Sequence, residues 1–117
     1  MVVRYESLDV WKKSFSLSLF VYQTFTALRD FGLKDQMCRS AVSVPSNIAE
    51  GYERYSDKER AYFLSVAKGS VGELKTQLMI AFELGHINYE QTEYALDECE
   101  SIGKMLGKLI SMIKNAR

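Results

Sequence analysis

At 117 residues the chain has the length of one domain with its own hydrophobic core, with no requirement for disulfides or a structural metal. Its composition, 47% hydrophobic and 26% charged with seven glycines and one proline, excludes a disordered or fibrous chain. Fifteen basic residues balance fifteen acidic ones, so no overall field draws in nucleic acid or an anionic membrane.

Four helical segments are predicted, and together they form a single domain over residues 1–117. The first covers 8–29, where Leu8, Trp11, Phe15, Leu19 and Tyr22 recur at spacings of three and four, with Ser7 able to cap it. A second stripe, Val10, Leu17, Val21, Phe25 and Leu28, lies beside the first and spreads apolar residues over about 200° of the helix. One bundle core covers little more than ~100°, so the surplus predicts self-association.

Gly32 marks the first turn, and the second helix is predicted over 33–53 with Leu33, Met37, Ala41, Val44 and Ile48 on one face. Pro45 removes a hydrogen bond inside it and crowds the carbonyl of Ala41. The helix must therefore kink there, or restart with Ser43 as a cap; the kink is the preferred reading.

Ser56 and Glu59 have the spacing of a capping box opening a third helix over 57–84. Its stripe of Phe63, Val66, Ala67, Ser70, Leu74, Leu78 and Ala81 ends at Gly85, a common C-terminal signal. Asn88 with Gln91 restarts the chain, and Ala95, Cys99, Ile102, Leu106, Leu109 and Ile113 form the seam of a fourth helix over 89–115. Tyr94, Met105 and Met112 flank that seam on one side and Leu96 and Ile110 on the other, again a surplus. Short connections between long amphipathic helices predict an all-α, antiparallel up-down-up-down four-helix bundle.

Charge is uneven along the last helix. Residues 83–100 hold six acids and no Lys or Arg, and residues 101–117 hold four bases and no acid, the order that the helix dipole favours. The opening residues lack an apolar stretch behind a positive start, so no signal peptide is expected, and no run approaches the ~18 apolar residues of a membrane span. Cys38 and Cys99 stand in no paired pattern and read as buried reduced thiols of a cytoplasmic protein.

Catalytic and cofactor chemistry lacks its parts. A di-iron bundle needs inward carboxylates with Glu-x-x-His pairs, but the chain has one histidine, His86, in the turn before the fourth helix. Haem, zinc and a nucleophile with a histidine partner lose the same residues, and there is no Gly-rich phosphate loop. No metal, no cofactor and no enzymatic activity are expected. Gly69, Gly72, Gly103 and Gly107 lie inside helices at a cost of about 1 kcal/mol each, and close helix approach is the expected compensation.

The second helix carries a polar stripe of Gln36, Arg39, Ser43, Asn47, Glu50 and Arg54 within an arc of about 80° on the shoulder of its apolar face. Ser70, Glu73 and Gln77 hold a similar position on the third. If these helices pair about a turn near Tyr55, facing positions sum to ~110 and Arg39 comes level with Ser70 and Glu73. The stripe reads as a partly buried network with an Arg39–Glu73 ion pair, fixing register or meeting a partner, or more simply as a semi-exposed pair among surface polar residues. Between the two helices, Tyr52, Arg54, Tyr55, Lys58, Arg60 and Tyr62 interleave rings with bases, but Glu53, Asp57 and Glu59 cancel the charge and a solvated turn is favoured over a nucleic-acid platform.

The run Gln-Met-Cys-Arg-Ser-Ala-Val-Ser-Val-Pro-Ser-Asn-Ile-Ala-Glu-Gly at 36–51 and Lys-Gly-Ser-Val-Gly-Glu-Leu-Lys-Thr-Gln-Leu at 68–78 resemble the small four-helix proteins encoded in intervening sequences of bacterial 23S ribosomal RNA genes. Leu8-Asp9-Val10-Trp11 and Glu83-Leu84-Gly85 extend the resemblance over nearly the whole chain. It implies a bundle with no known catalytic activity, often a homopentamer, similar in turn to the accessory protein of diversity-generating retroelements, which binds nucleic acid and a reverse transcriptase. That accessory protein is strongly basic, whereas this chain is neutral. The resulting expectation is a homo-oligomeric binding module for RNA or an RNA-associated protein. Its rivals are a protein-protein adaptor and an enzyme using Glu50 and Glu73 as paired carboxylates.

Overall fold

The computed structural model describes residues 4–116 and folds them into a short 3-10 turn, Tyr5–Ser7, followed by four helices: α1 Asp9–Thr24, α2 Phe31–Tyr52, α3 Asp57–Glu83 and α4 Tyr89–Lys114. No strand occurs among the described residues, and the helices pack as a four-helix bundle around one core. Its centre includes Val21, Met37, Ile48, Leu64, Leu74, Leu78, Ile102 and Leu106, all sealed from solvent. Burial of each large apolar side chain contributes about 1.5–3 kcal/mol relative to exposure.

The helix ends have local causes. Ser56 Oγ accepts from the Glu59 amide at 3.1 Å to open α3, although the Glu59 carboxylate accepts from the Ser56 hydroxyl and not from the Ser56 backbone N–H. Asn88 and Gln91 form a full capping box at the start of α4. Gly85, at φ +79°, ends α3: its N–H donates to Phe82 O and the His86 N–H to Ala81 O, which satisfies two of the carbonyls left over at the helix end.

Two boundaries differ from the sequence reading. α1 stops at Thr24, five residues short of the expected 29, because Phe25 leaves helical geometry to enter the core and the chain turns through Ala27. Ser7 does not cap α1; its hydroxyl donates to Arg4 O inside the 3-10 turn, and the capping position is Leu8, without a side-chain bond. Asp30 caps α2 through the Leu33 amide at 3.2 Å, so Gly32 sits in the first turn of the helix instead of before it.

α1 also presents a different face to the core than its most regular stripe suggests. Val10, Ser14, Leu17, Ser18, Val21 and Phe25 are buried, while Phe15, Leu19 and Tyr22 look outward. The core face is the second stripe read from the sequence, and Ser14 and Ser18 interrupt its apolar run and make it the less regular of the two. Both hydroxyls are satisfied: Ser14 Oγ donates to Trp11 O at 3.0 Å, and Ser18 Oγ lies 2.9 Å from Ser14 O and 3.0 Å from Ala41 O.

The last contact explains how α2 runs unbroken through Pro45 with no restart at Ser43. Proline has no N–H for the carbonyl four residues earlier, which is that of Ala41, and the Ser18 hydroxyl of α1 supplies the missing donor. Ser18→Ala is therefore expected to cost about 1–3 kcal/mol by stranding a buried carbonyl. In a Pro45→Ala background, where a backbone N–H returns, the same change should cost about half as much or less. Denaturant titration of the four proteins in this cycle measures the coupling, and equal costs in both backgrounds would remove the compensation argument.

Helix pairing follows from specific contacts. Between α2 and α3, Ser43 meets Ser70 and Gly51 lies against Arg60 and Phe63; between α3 and α4, Lys75 meets Glu100 and Lys68 lies over Gly107. Two acids of α4 thus serve pairing between helices as well as the dipole: Glu100 bonds Lys75 at 2.9 Å, and Glu98 bonds Lys13 of α1 at 3.2 Å.

The helix glycines only partly follow the expectation of close approach. A Cβ at Gly69 or Gly72 would meet nothing within 4 Å, and at Gly103 and Gly107 it would make ordinary contact with Val71 and Lys68 side chains. The tight site is Gly51, where a Cβ would stand 3.2 Å from Arg60 O and 3.3 Å from Phe63 Cβ.

Candidate functional site

The polar stripe of α2 and its counterpart on α3 do come together at the α2/α3 seam, but as three separate groups. In the centre, Ser43 and Ser70 share a hydroxyl–hydroxyl hydrogen bond of 2.8 Å, and Asn47 Nδ2 donates to both Ser43 O at 2.8 Å and Ser43 Oγ at 2.9 Å. Ser70 is buried and the other two are half-buried, so this small network is worth more than a surface contact and sets which turn of α2 meets which turn of α3.

Toward the N-terminal end of α2, Gln36, Arg39, Ser43, Ser70, Glu73 and Gln77 surround a shallow depression of about 410 Å³. All six sequence-predicted residues are present, but the expected Arg39–Glu73 ion pair is not formed. Arg39 Nε donates instead to Asp35 Oδ2 at 2.9 Å, one helical turn back, and its side chain is 80% exposed. A partner already held four residues away on the same helix outcompetes one across the seam, since reaching it needs less ordering of two long side chains. Glu73 is exposed, so its loss strands no buried charge. Gln77 keeps its amide oxygen buried at the rim without a hydrogen-bond partner.

At the other end, Glu50 and Arg54 belong to a clamp on the α2–α3 turn. Arg54 Nη2 lies 2.6 Å from Glu50 Oε2, Nη1 lies 3.4 Å from Glu59 Oε2, and the guanidinium sits 4.7 Å from the centre of the Phe63 ring. Arg60 pairs with Asp57 and covers Tyr52 in the same manner, at 5.0 Å. Arg54 and Arg60, two of the three bases that interleave with rings here, are thus committed to acids and rings of the turn itself, whereas Lys58 is exposed. Glu73 lines the depression and Glu50 does not, so the two carboxylates do not share a pocket.

Neither cysteine is poised as a nucleophile. Burial pushes the Cys99 thiol up to about 12, and it also raises Cys38, with neighbouring lysines only partly opposing it. Among the described residues no three histidine, cysteine or acidic side chains gather where they could hold a metal ion, and no helix is long and apolar enough to cross a membrane.

A further surface feature is apolar. Between α1 and α2 runs a groove of about 380 Å³ lined by Trp11, Phe15, Leu19, Tyr22, Val42 and Pro45, and Phe15, Leu19 and Tyr22 are each about half exposed, at 46%, 49% and 52%. Trp11 stacks on Phe15 with ring centres 5.0 Å apart, so these rings form a continuous patch. The sequence signals it through the two apolar stripes of the first helix, of which one core buries only the second; Val42, on α2, was not singled out there.

Comparison with known proteins places this geometry. A family model described as 23S rRNA-intervening sequence protein matches residues 6–108. A solved structure of a protein with unknown function from the S23 ribosomal protein family of Bacteroides thetaiotaomicron superposes with a TM-score of 0.82. It is 24% identical over 86% of this chain and 97% of its own, a likeness of fold. No curated protein matches the chain.

Proposed function

The chain belongs to the 23S rRNA-intervening sequence protein family, and from that membership and its apolar α1/α2 face we propose that it is a non-enzymatic homo-oligomer that works by binding a partner, RNA or an RNA-associated protein. The observation that carries the reading is the half-exposed patch of Phe15, Leu19 and Tyr22. Monomers rarely leave such a contiguous apolar surface in water, and a second copy is the partner that is always present at matching concentration. The number of copies, five, rests on family resemblance alone, as does RNA as the class of partner; a cytoplasmic location accords with two free thiols.

The competing reading is a protein-protein adaptor with no nucleic-acid binding, which the balanced net charge favours. Isolation of the protein from cells at low salt, followed by analysis of what accompanies it, separates the two. Co-isolated RNA that is released by raised salt supports the first reading, and one dominant protein without RNA supports the adaptor. Protein that emerges with neither overturns the binding-module reading.

A further inference from the structure

The balance of charge over the whole chain conceals a local imbalance along the α3/α4 seam. Two successive depressions there, of about 460 and 370 Å³, are lined by Lys58, Lys68, Lys75, Lys104 and Lys114 but only two acids, Asp57 and Glu100. Glu100 is bonded to Lys75 and Asp57 is paired with Arg60; Lys58, Lys68, Lys104 and Lys114 are exposed and form no ion pair among the described residues. Glu100 also feels the charge of Lys104 one turn along α4, so five lysines against two acids leave three net positive charges. From Lys58 to Lys75 the row extends about 25 Å along α3. The floor between Lys68, Lys75 and Lys104 is low: Gly72, Gly103 and Gly107 line it with only Val71 and Cys99 beside them, and the Lys68 stem passes over Gly107. At one end the Tyr62 ring stands exposed beside Lys58 and Lys114.

We infer that this seam is a docking groove for the phosphodiester backbone of a single-stranded RNA, with Lys68 and Lys104 as its central phosphate contacts and Tyr62 as a platform for a base. The inference rests on the RNA reading above and gives it a location. Ammonium groups repeating at helical spacing match a chain of regularly spaced phosphates, and a floor of glycine lets a backbone lie close where side chains would hold it off. An exposed ring at the end of a basic track is the element that stacks a base without regard to sequence. An acidic protein segment would use the charge but has no need of either the low floor or the ring. The groove is built on α3 and α4 and shares no lining residue with the apolar groove of Phe15, Leu19 and Tyr22 on α1 and α2.

The test is fluorescence anisotropy of a labelled twelve-nucleotide poly(U) RNA, and separately of a labelled poly-glutamate peptide, with the full-length protein. Poly(U) should bind with an affinity that falls with salt, at a log–log slope of about −2 for three net lysines at ~0.7 per phosphate on a single strand. Lys68→Glu with Lys104→Glu should weaken binding at least ~10-fold, consistent with loss of more than one charge-assisted contact. Lys68→Gln with Lys104→Gln, which keeps most of each stem, should give a smaller loss in a protein of unchanged helicity. Arg29→Glu, in the α1–α2 connection, should bind as the parent does. Poly(U) binding that survives both double changes overturns the groove while leaving the RNA reading intact. Binding of poly-glutamate but not poly(U) overturns the groove and favours the adaptor reading. Binding of neither probe also overturns it.

Discussion

Aspartate at both Leu19 and Tyr22 is expected to convert the assembled protein to a monomer that keeps its helices. Both side chains are about half exposed in the single chain, so they contribute little to its own core, and the polar replacements meet water there. Covered by a neighbouring copy, each residue would gain a share of the about 1.5–3 kcal/mol that full burial of a large apolar side chain contributes. Two carboxylates in the same place would have to be desolvated without partners, at several kcal/mol each. The swing exceeds what an ordinary subunit contact can absorb. Sedimentation velocity, with circular dichroism on the same samples, measures the outcome, and an unchanged assembly size would show that α1 is not the contact.

The second large effect is at Gly51, where alanine should destabilise the fold by about 1–3 kcal/mol through overpacking. Its Cβ would press on Arg60 O and Phe63 Cβ, both within 3.3 Å, and the backbone atom cannot rotate away. The opposite sign is expected at Gly69 and Gly72, where nothing stands within 4 Å and alanine should stabilise by about 0.5–1 kcal/mol each through helix propensity. Thermal or denaturant unfolding of the three single variants checks both signs together. A neutral Gly51→Ala would mean that α2 and α3 shift apart there at no cost.

What could be read from the chain before its structure was known follows the range of the forces involved. Ser56, Gly85 and the Asn88–Gln91 pair mark helix ends through bonds to residues within five positions, and each was legible. Asp30 acts over the same range and was obscured only because Gly32 offered a more obvious turn signal two residues later. The core face of α1 was harder to recognise, because Ser14 and Ser18 lie on it and their burial depends on carbonyls, one of them on another helix. Counting about the Tyr55 turn put Arg39 level with Ser70 and Glu73, and the three do line one depression, but the hydroxyl that bonds Ser70 is that of Ser43, about one turn further along α2. It could not tell that Arg39 would turn back to Asp35, nor that a Cβ at Gly51 would stand 3.2 Å from the Arg60 carbonyl oxygen, because nothing in the sequence of α2 records what stands opposite.

The stripe that looked like one network therefore divides by function. Ser43, Asn47 and Ser70 hold register, Glu50 and Arg54 hold the turn, and Gln36, Arg39, Glu73 and Gln77 border an open depression. Removal of Glu73 should accordingly change stability by no more than an exposed charge does, ~0 to 1 kcal/mol.

Light scattering coupled to size exclusion, on dilute protein in moderate salt, tests the central claim most directly. A mass several times that of the 13.4 kDa chain is expected, with five copies the specific value. A dimer or tetramer would retain the apolar α1/α2 contact and remove only the number five, whereas a monomeric mass would contradict the account.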